Sequence, residues 1–257
     1  MLDPTPKTLR LGVLTPSSNT ALEPLTSALV ASYRQAAPLQ VADAGAVTAH
    51  FARFKVTEIG LNHQALNQFD DSHILAAADL LADAKVDVIG WSGTAAGWLG
   101  FEKDRQLVEK IEQRTGIAAT TAVLALNDAL ALRGVERIAI ASPYTRDVQQ
   151  RIADNYARAG IQVVAETHEG IRDNHQFGML EPALLDQRLR LLARHEQRPQ
   201  ALITYCTNLR AAQLAPALEA EFGIPLLDTV STTVWGMLRR AQWPTQPLAP
   251  WGMLFSA

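Results

Sequence analysis

The sequence predicts an α/β protein of two pseudo-symmetric lobes, each a mostly parallel sheet flanked by helices, and three observations lead there. Short β-like runs alternate with amphipathic helical stretches from one end of the chain to the other, the pattern that sets helices against the faces of a parallel sheet. Two strand-end segments of the first half recur, in the same order, in the second. Leu11-Gly12-Val13-Leu14-Thr15-Pro16 is echoed by Ile138-Ala139-Ile140-Ala141-Ser142-Pro143, each a strand ending in a hydroxyl residue and a proline. Val88-Ile89-Gly90-Trp91-Ser92-Gly93-Thr94 is echoed by Ala201-Leu202-Ile203-Thr204-Tyr205-Cys206-Thr207. Finally, 257 residues suffice to bury the large core that such an arrangement requires.

Taken in order, the apolar runs place strands at Leu9 to Leu14, Leu39 to Val47, Val86 to Trp91, Ile117 to Thr120, Arg137 to Ala141, Gln162 to Thr167, Ala201 to Tyr205 and Pro225 to Asp228. Helical periodicity marks Ser72 to Ala84, Asp104 to Thr115, Ala122 to Leu132, Thr145 to Ala159, Pro182 to Arg194 and Arg210 to Phe222. The tail, Trp243 to Ala257, is rich in Pro and Trp and is expected to pack as an irregular strap. We expect residues 6–120 plus 230–257 to form the first lobe and 121–229 the second. A cleft between them would be lined by four strand ends: Ser17 to Thr20, Gly93 to Ala96, Tyr144 to Arg146 and Cys206 to Asn208.

Composition excludes several classes of function. The net charge of −3 comes with no basic stripe, so nucleic acid is not an expected partner. No apolar run reaches the roughly 18 residues that cross a bilayer, and Met1 to Arg10 is polar and contains proline, unlike a secretory leader. No membrane association is expected. One cysteine cannot form an internal disulfide, which makes the reducing cytoplasm the default compartment. The six histidines have no metal-ligand spacing, so no metal is expected. Gly90, Gly93, Gly97 and Gly100 fit neither the dinucleotide fingerprint nor the phosphate loop. Apolar strips on helices are compatible with a homo-oligomer.

The lone thiol is the candidate reactive group. Cys206 closes an apolar run and precedes a helical pattern, which sets it beside the N–H groups of the next helix. When Thr94 is laid on Thr207, Cys206 falls on Gly93, so the first lobe would offer an empty space opposite the thiol. Each candidate also has a structural role open to it. Cys206 could be a small core residue, Asn19, Thr94 and Thr207 helix caps, Asn174 part of a turn in a polar loop, and Tyr144 a core aromatic whose hydroxyl reaches solvent.

Four motifs in order carry a resemblance: Thr-Pro-Ser-Ser-Asn-Thr at 15–20, Ser-Pro-Tyr-Thr at 142–145, Asp173-Asn174, and Tyr-Cys-Thr-Asn-Leu-Arg at 205–210. They resemble the maleate cis-trans isomerase and arylmalonate decarboxylase branch of the aspartate/glutamate racemase superfamily, over nearly the whole chain. The resemblance implies a site between the lobes, a small carboxylic acid as substrate, and chemistry with no metal or organic cofactor. Racemases and the isomerase use one cysteine from each lobe, whereas this chain keeps only the second, Cys206. Gly93-Thr94 paired with Cys206 is similar to the decarboxylase, in which one carboxylate leaves as carbon dioxide and a single cysteine protonates the enediolate. Asn19 and Asn174 match isomerase positions that hold the substrate carboxylate. In the decarboxylase, small apolar residues stand in place of Ser17-Ser18-Asn19, and a serine in place of Ala95.

These residues suit such chemistry. Negative charge that develops on the remaining carboxylate is stabilised by preorganised donors, here Thr94, Tyr144, Thr207 and backbone N–H groups at helix starts, with Asn208 also in the site. Trp91, Trp98, Leu99 and Phe101 could wall off an apolar pocket for the leaving carboxylate. A thiol of ordinary pKa, about 8.5, is mostly protonated at neutral pH, and a helix N-terminus would lower that value. The leading expectation is a cofactor-independent decarboxylase of a malonate-type acid. The alternatives are a maleate-type isomerase or racemase-like isomerase, with Ser92 or Thr94 as weaker nucleophiles, and a non-catalytic carboxylate-binding protein.

Overall fold

The computed structural model describes residues 8–36 and 46–256. In chain order the elements of the first half are β1 (Leu9–Pro16), α1 (Leu22–Ala36), β2 (Val47–Phe54), α2 (His63–Asn67), α3 (Asp71–Asp83), β3 (Val88–Trp91), α4 (Ala96–Leu99), α5 (Phe101–Thr115), β4 (Ala119–Thr121) and α6 (Ala122–Leu132). There follow β5 (Arg137–Ser142), α7 (Arg146–Arg158), β6 (Gln162–His168), α8 (Asn174–Phe177), α9 (Pro182–Ala193), β7 (Ala201–Thr204), α10 (Ala215–Phe222), β8 (Leu226–Asp228) and α11 (Thr229–Arg240).

The strands form two parallel four-stranded sheets, ordered β2-β1-β3-β4 and β6-β5-β7-β8. The two orders are the same once four is subtracted from each number of the second, so the lobes repeat one topology. In each sheet the first and third strands sit in the middle and are buried nearly throughout, which explains why they read as unbroken aliphatic runs. The reversal of strand order beside β1 and β5 is the switch point at which α/β sheets hold ligands. Pro16, Trp91, Ser142 and Thr204 end the strands that meet there.

The observed elements depart from the sequence reading in instructive places. The strand expected at 39–47 coincides with β2 only at Val47, and residues 39–45 lie outside the described residues. β2 pairs Leu9 with Val47 and Pro16 with Phe54. Its middle residues are only partly buried, so this edge strand lacks an apolar run. The helix expected from Arg210 starts later. A turn and a short 3-10 segment, Ala212–Leu214, precede α10, whose first turn holds Pro216, a residue without an N–H to donate.

α11 carries no helical signal in the sequence because Thr229, Val230, Thr232, Thr233 and Val234 are poor helix formers and the helix is buried on all sides from Thr229 to Leu238, which leaves no polar face to read. Of its hydroxyls, that of Thr233 donates within the helix to the Thr229 carbonyl at 2.7 Å, while those of Thr229 and Thr232 reach the Thr204 and Ala122 carbonyls outside it. Asp228 caps it by accepting from the Val230 and Ser231 amides. From there α11 crosses from the second sheet to pack on α6, β3 and β4. The tail winds into two 3-10 segments, Gln246–Trp251 and Met253–Ser256, which bury Leu248, Leu254 and Phe255.

Candidate active site

The carboxyl ends of β3 and β7 face each other across the junction of the lobes. Cys206, two residues past β7, is 3% exposed and belongs to the main apolar core. A turn and not a helix follows it, so the expected helix N-terminus is absent there. In its place the Asn208 N–H donates to Sγ at 3.3 Å. Burial pushes the thiol up to about 12, against the Asn208 N–H and the Tyr144 hydroxyl, both of which favour the thiolate. At neutral pH the sulfur therefore carries its proton.

The wall opposite is not the empty space that the alignment of Gly93 with Cys206 suggested. The Trp91 indole folds over Gly93, and a Cβ built there would overlap its six-membered ring. Residues two apart on an extended chain point to the same side, which is how a ring on Trp91 reaches the place of a side chain on Gly93. Phe54 braces the indole, with ring centroids 5.0 Å apart.

Tyr144 stands between the two walls. Its hydroxyl is 2.6 Å from Thr94 Oγ1 and interacts with the Cys206 sulfur. The side chain is buried, so its hydroxyl does not reach solvent as expected, and burial raises its own pKa well above the ordinary value. Thr94 caps no helix and instead spends its hydroxyl on Tyr144. The result is a short chain of polar hydrogens, Thr94 to Tyr144 to Cys206.

The amide residues knit the lobes together. Asn19 caps α1, its Oδ1 accepting from the Ala21 and Leu22 amides, while Nδ2 donates to Thr207 Oγ1 at 3.2 Å. Thr207 donates in turn to the Ser92 carbonyl at 3.0 Å, again a cross-lobe bond and not a cap. Asn208 Oδ1 accepts from the Thr20 and Ala21 amides, and its Nδ2 donates to the Asn174 carbonyl at 2.5 Å. Asn174 is not in a polar loop. It opens α8, is buried, and donates to Ser18 Oγ at 2.7 Å.

A cavity of about 20 Å³ remains among these groups, lined by Gly93, Thr94, Tyr144, Asn174, Cys206 and Thr207 together with apolar walls. Asn19 and Asn208 do not line it and act as braces behind it. Trp91 and Trp98 are walls, as expected. Leu99 and Phe101 are not: Leu99 faces a separate space and Phe101 packs on Tyr156, with centroids 5.1 Å apart. The other walls are Pro16, Val56, Ile59, Phe69 and Ala95. Of these, Pro16 stood in a quoted motif, while Val56, Ile59 and Phe69 come from the β2–α3 connection, where no local pattern betrays a distant contact. Among the described residues no lysine or arginine lines the cavity, so a carboxylate there would meet neutral donors from them. Among the described residues, no three His, Cys, Asp or Glu side chains cluster as metal ligands would, and no helix is long and apolar enough to cross a membrane.

Residues 34–254 match the arylmalonate decarboxylase family model. The chain belongs to this family. Among its relatives, a maleate isomerase of Alcaligenes faecalis is 24% identical over 239 residues, 91% of each chain. The arylmalonate decarboxylase of Bordetella bronchiseptica is 24% identical over 172 residues, covering 65% of this chain and 70% of that enzyme. The crystal structure of the maleate isomerase Iso from Pseudomonas putida S16 superposes with a TM-score of 0.87 at 24% identity, covering 98% of this chain and 99% of that one. A crystal structure of arylmalonate decarboxylase gives 0.69 at 20%, with 96% and 99% covered. The two-lobed fold of this arylmalonate decarboxylase family member is thus shared with enzymes of both names.

Proposed function

We propose that this protein is a cofactor-independent decarboxylase of a malonate-type acid, in which Cys206 delivers the proton. The observation that carries this reading is a protonated thiol facing a wall where Trp91 fills the place of a second reactive group. As the bond to one carboxylate breaks, its electron pair stays on the central carbon and spreads onto the remaining carboxylate as an enediolate, while carbon dioxide departs. Donors from Thr94 and Asn174 would stabilise those two oxygens, the Thr207 hydroxyl being spent on the Ser92 carbonyl and that of Tyr144 on the sulfur. The Sγ proton passes to the carbon, and the resulting thiolate is held by the Asn208 N–H and the Tyr144 hydroxyl until water reprotonates it. The apolar walls disfavour a solvated leaving carboxylate.

Isomerisation of a maleate-type acid is the second reading, favoured by relatives named maleate isomerase that match most of both chains. It requires a nucleophile to add to the double bond. Ser92 is buried and engaged with Thr233 at 3.2 Å, and Thr94 with Tyr144, so Cys206 would have to serve. Two assays on the purified protein divide the readings: carbon dioxide release from a disubstituted malonate, and conversion of maleate to fumarate. Release that is lost in Cys206→Ala while the acid still binds supports the decarboxylase. Fumarate formation without release overturns it. Binding of acids with neither reaction points to a non-catalytic carboxylate-binding protein.

A further inference from the structure

Tyr144 carries the hydroxyl that reaches Cys206, yet it belongs to no helix or strand. It lies in a bend between β5 and α7, where the Gly170 N–H donates to its carbonyl at 3.0 Å. The hydroxyl is at the far end of a long side chain, so a small tilt of the ring carries it away from the sulfur. What holds the ring is packing from both lobes. The Trp98 indole meets it edge-on from α4, with centroids 5.3 Å apart and planes at 68°. The Phe177 ring meets it edge-on from α8, at 5.6 Å and 73°.

Both neighbours are themselves held. Phe69 meets Trp98 edge-on at 5.9 Å, and Trp98 Nε1 is buried with no hydrogen-bond partner among the described residues, so packing sets the indole. Phe177 is 0% exposed and ends α8, whose first residue, Asn174, donates to Ser18 and accepts from Asn208. A Cβ at the next position, Gly178, would come within 2.5 Å of Thr20 Oγ1, which shows how closely this end of α8 lies against the turn before α1 in the other lobe. Rings favour edge-on contacts at about 4.5–7 Å because the positive edge of one meets the negative face of the other. An aliphatic side chain would fill the space without that directionality. Phe177 does not line the Cys206 cavity, so any effect it has on the reaction passes through another residue.

We infer that Phe177 and Trp98 are positioning residues: gripping the Tyr144 ring from the two lobes, they hold its hydroxyl between Thr94 Oγ1 and the Cys206 sulfur. One grip comes from each lobe, so the contact with the sulfur is made only while the lobes keep their register. Without the Phe177 ring the hydroxyl is free to settle on Thr94 alone, and the sulfur loses one of the two groups that favour its thiolate. The consequence for turnover rests on the reading of Cys206 as the proton donor.

The chain has one cysteine, so the S–H stretching band in its infrared spectrum reports Cys206 alone. The band is compared, with no substrate present, in the wild type, Phe177→Leu, Tyr144→Phe and the double variant. Phe177→Leu is expected to shift the band in the same direction as Tyr144→Phe, and the double variant to match Tyr144→Phe. A residue that only fills the core would act equally with and without the Tyr144 hydroxyl, so additive shifts overturn the inference, as does a band that Phe177→Leu leaves in place. If Phe177→Leu melts early, Trp98→Leu in the same cycle carries the test from the other lobe, read from the band alone because Trp98 also lines the cavity. With a disubstituted malonate, Phe177→Leu should lower kcat by about tenfold, leave KM unchanged and add no loss to Tyr144→Phe. Coupled band shifts in a protein that releases no carbon dioxide support the positioning and overturn the proposed reaction alone.

Discussion

The indole of Trp91 occupies the volume that any side chain on Gly93 would need. Gly93 has no positive φ, so its backbone could accept a larger residue, and the nearest obstacle to one is the ring. Gly93→Cys is therefore expected to melt several degrees below the wild type, the usual outcome of overpacking by about 1–3 kcal/mol. Trp91→Ala combined with Gly93→Cys should relieve the clash and present two thiols to each other. Thermal melts with titration of reactive thiols decide this, and a single variant as stable as the wild type contradicts it.

The protonation state of Cys206 predicts a pH profile. A donor held at about 12 keeps its proton through the whole neutral and mildly alkaline range, so thiol ionisation should cause no loss of rate between pH 8 and pH 10. An ordinary thiol would lose its proton there. Tyr144→Phe removes a group that favours the thiolate, so ultraviolet titration of the thiol should move upward and turnover should fall by roughly 10²-fold. A titration near 9 in the wild type would refute this.

Asn208 joins three backbone groups from two other segments, and none of the three can be satisfied by alanine. Asn208→Ala should lower unfolding free energy by about 2–4 kcal/mol, through amides of Thr20 and Ala21 and a carbonyl of Asn174 left buried. Urea denaturation measures it. A loss below 1 kcal/mol would mean that water replaces the side chain.

Asp104 should print itself on the pH dependence of stability. Its folded value, about 7, is above the ordinary value of about 4. Between those two the folded protein binds the extra proton, so stability is highest below about pH 4 on this account and declines as pH rises through 7, by no more than about 4 kcal/mol. Asp228, raised by burial to about 6, acts in the same sense. Asp104→Asn should flatten the decline without abolishing it. Melting curves from pH 4 to pH 8 that are identical in shape for both proteins would contradict this.

The architecture was legible because its signals are local. Central strands such as Leu11–Leu14 and Ala201–Thr204 are buried on both faces and must be aliphatic. Cys206 and Thr94 were legible as strand-end residues for the same reason. What escaped depends on partners far along the chain. The occlusion of Gly93 needed the rotamer of Trp91, although the two-residue spacing of a large ring and a glycine was a usable hint. The roles of Asn19 and Asn208 lie in bonds to residues 188, 187 and 34 positions away, and a sequence shows no such pairing. The burial of Asp104 was hidden because its acid reads as one more charge at the start of a helix.

The stitching between the lobes has a bearing on how the protein comes apart. Although the chain repeats one topology, α11 lies across both halves and Asn19, Thr207 and Asn208 hold groups that neither half can satisfy alone. Duplication here has not produced two independent units of melting. Calorimetric and van't Hoff enthalpies should agree in a single transition, and a half-length chain should aggregate instead of behaving as a smaller copy of the whole.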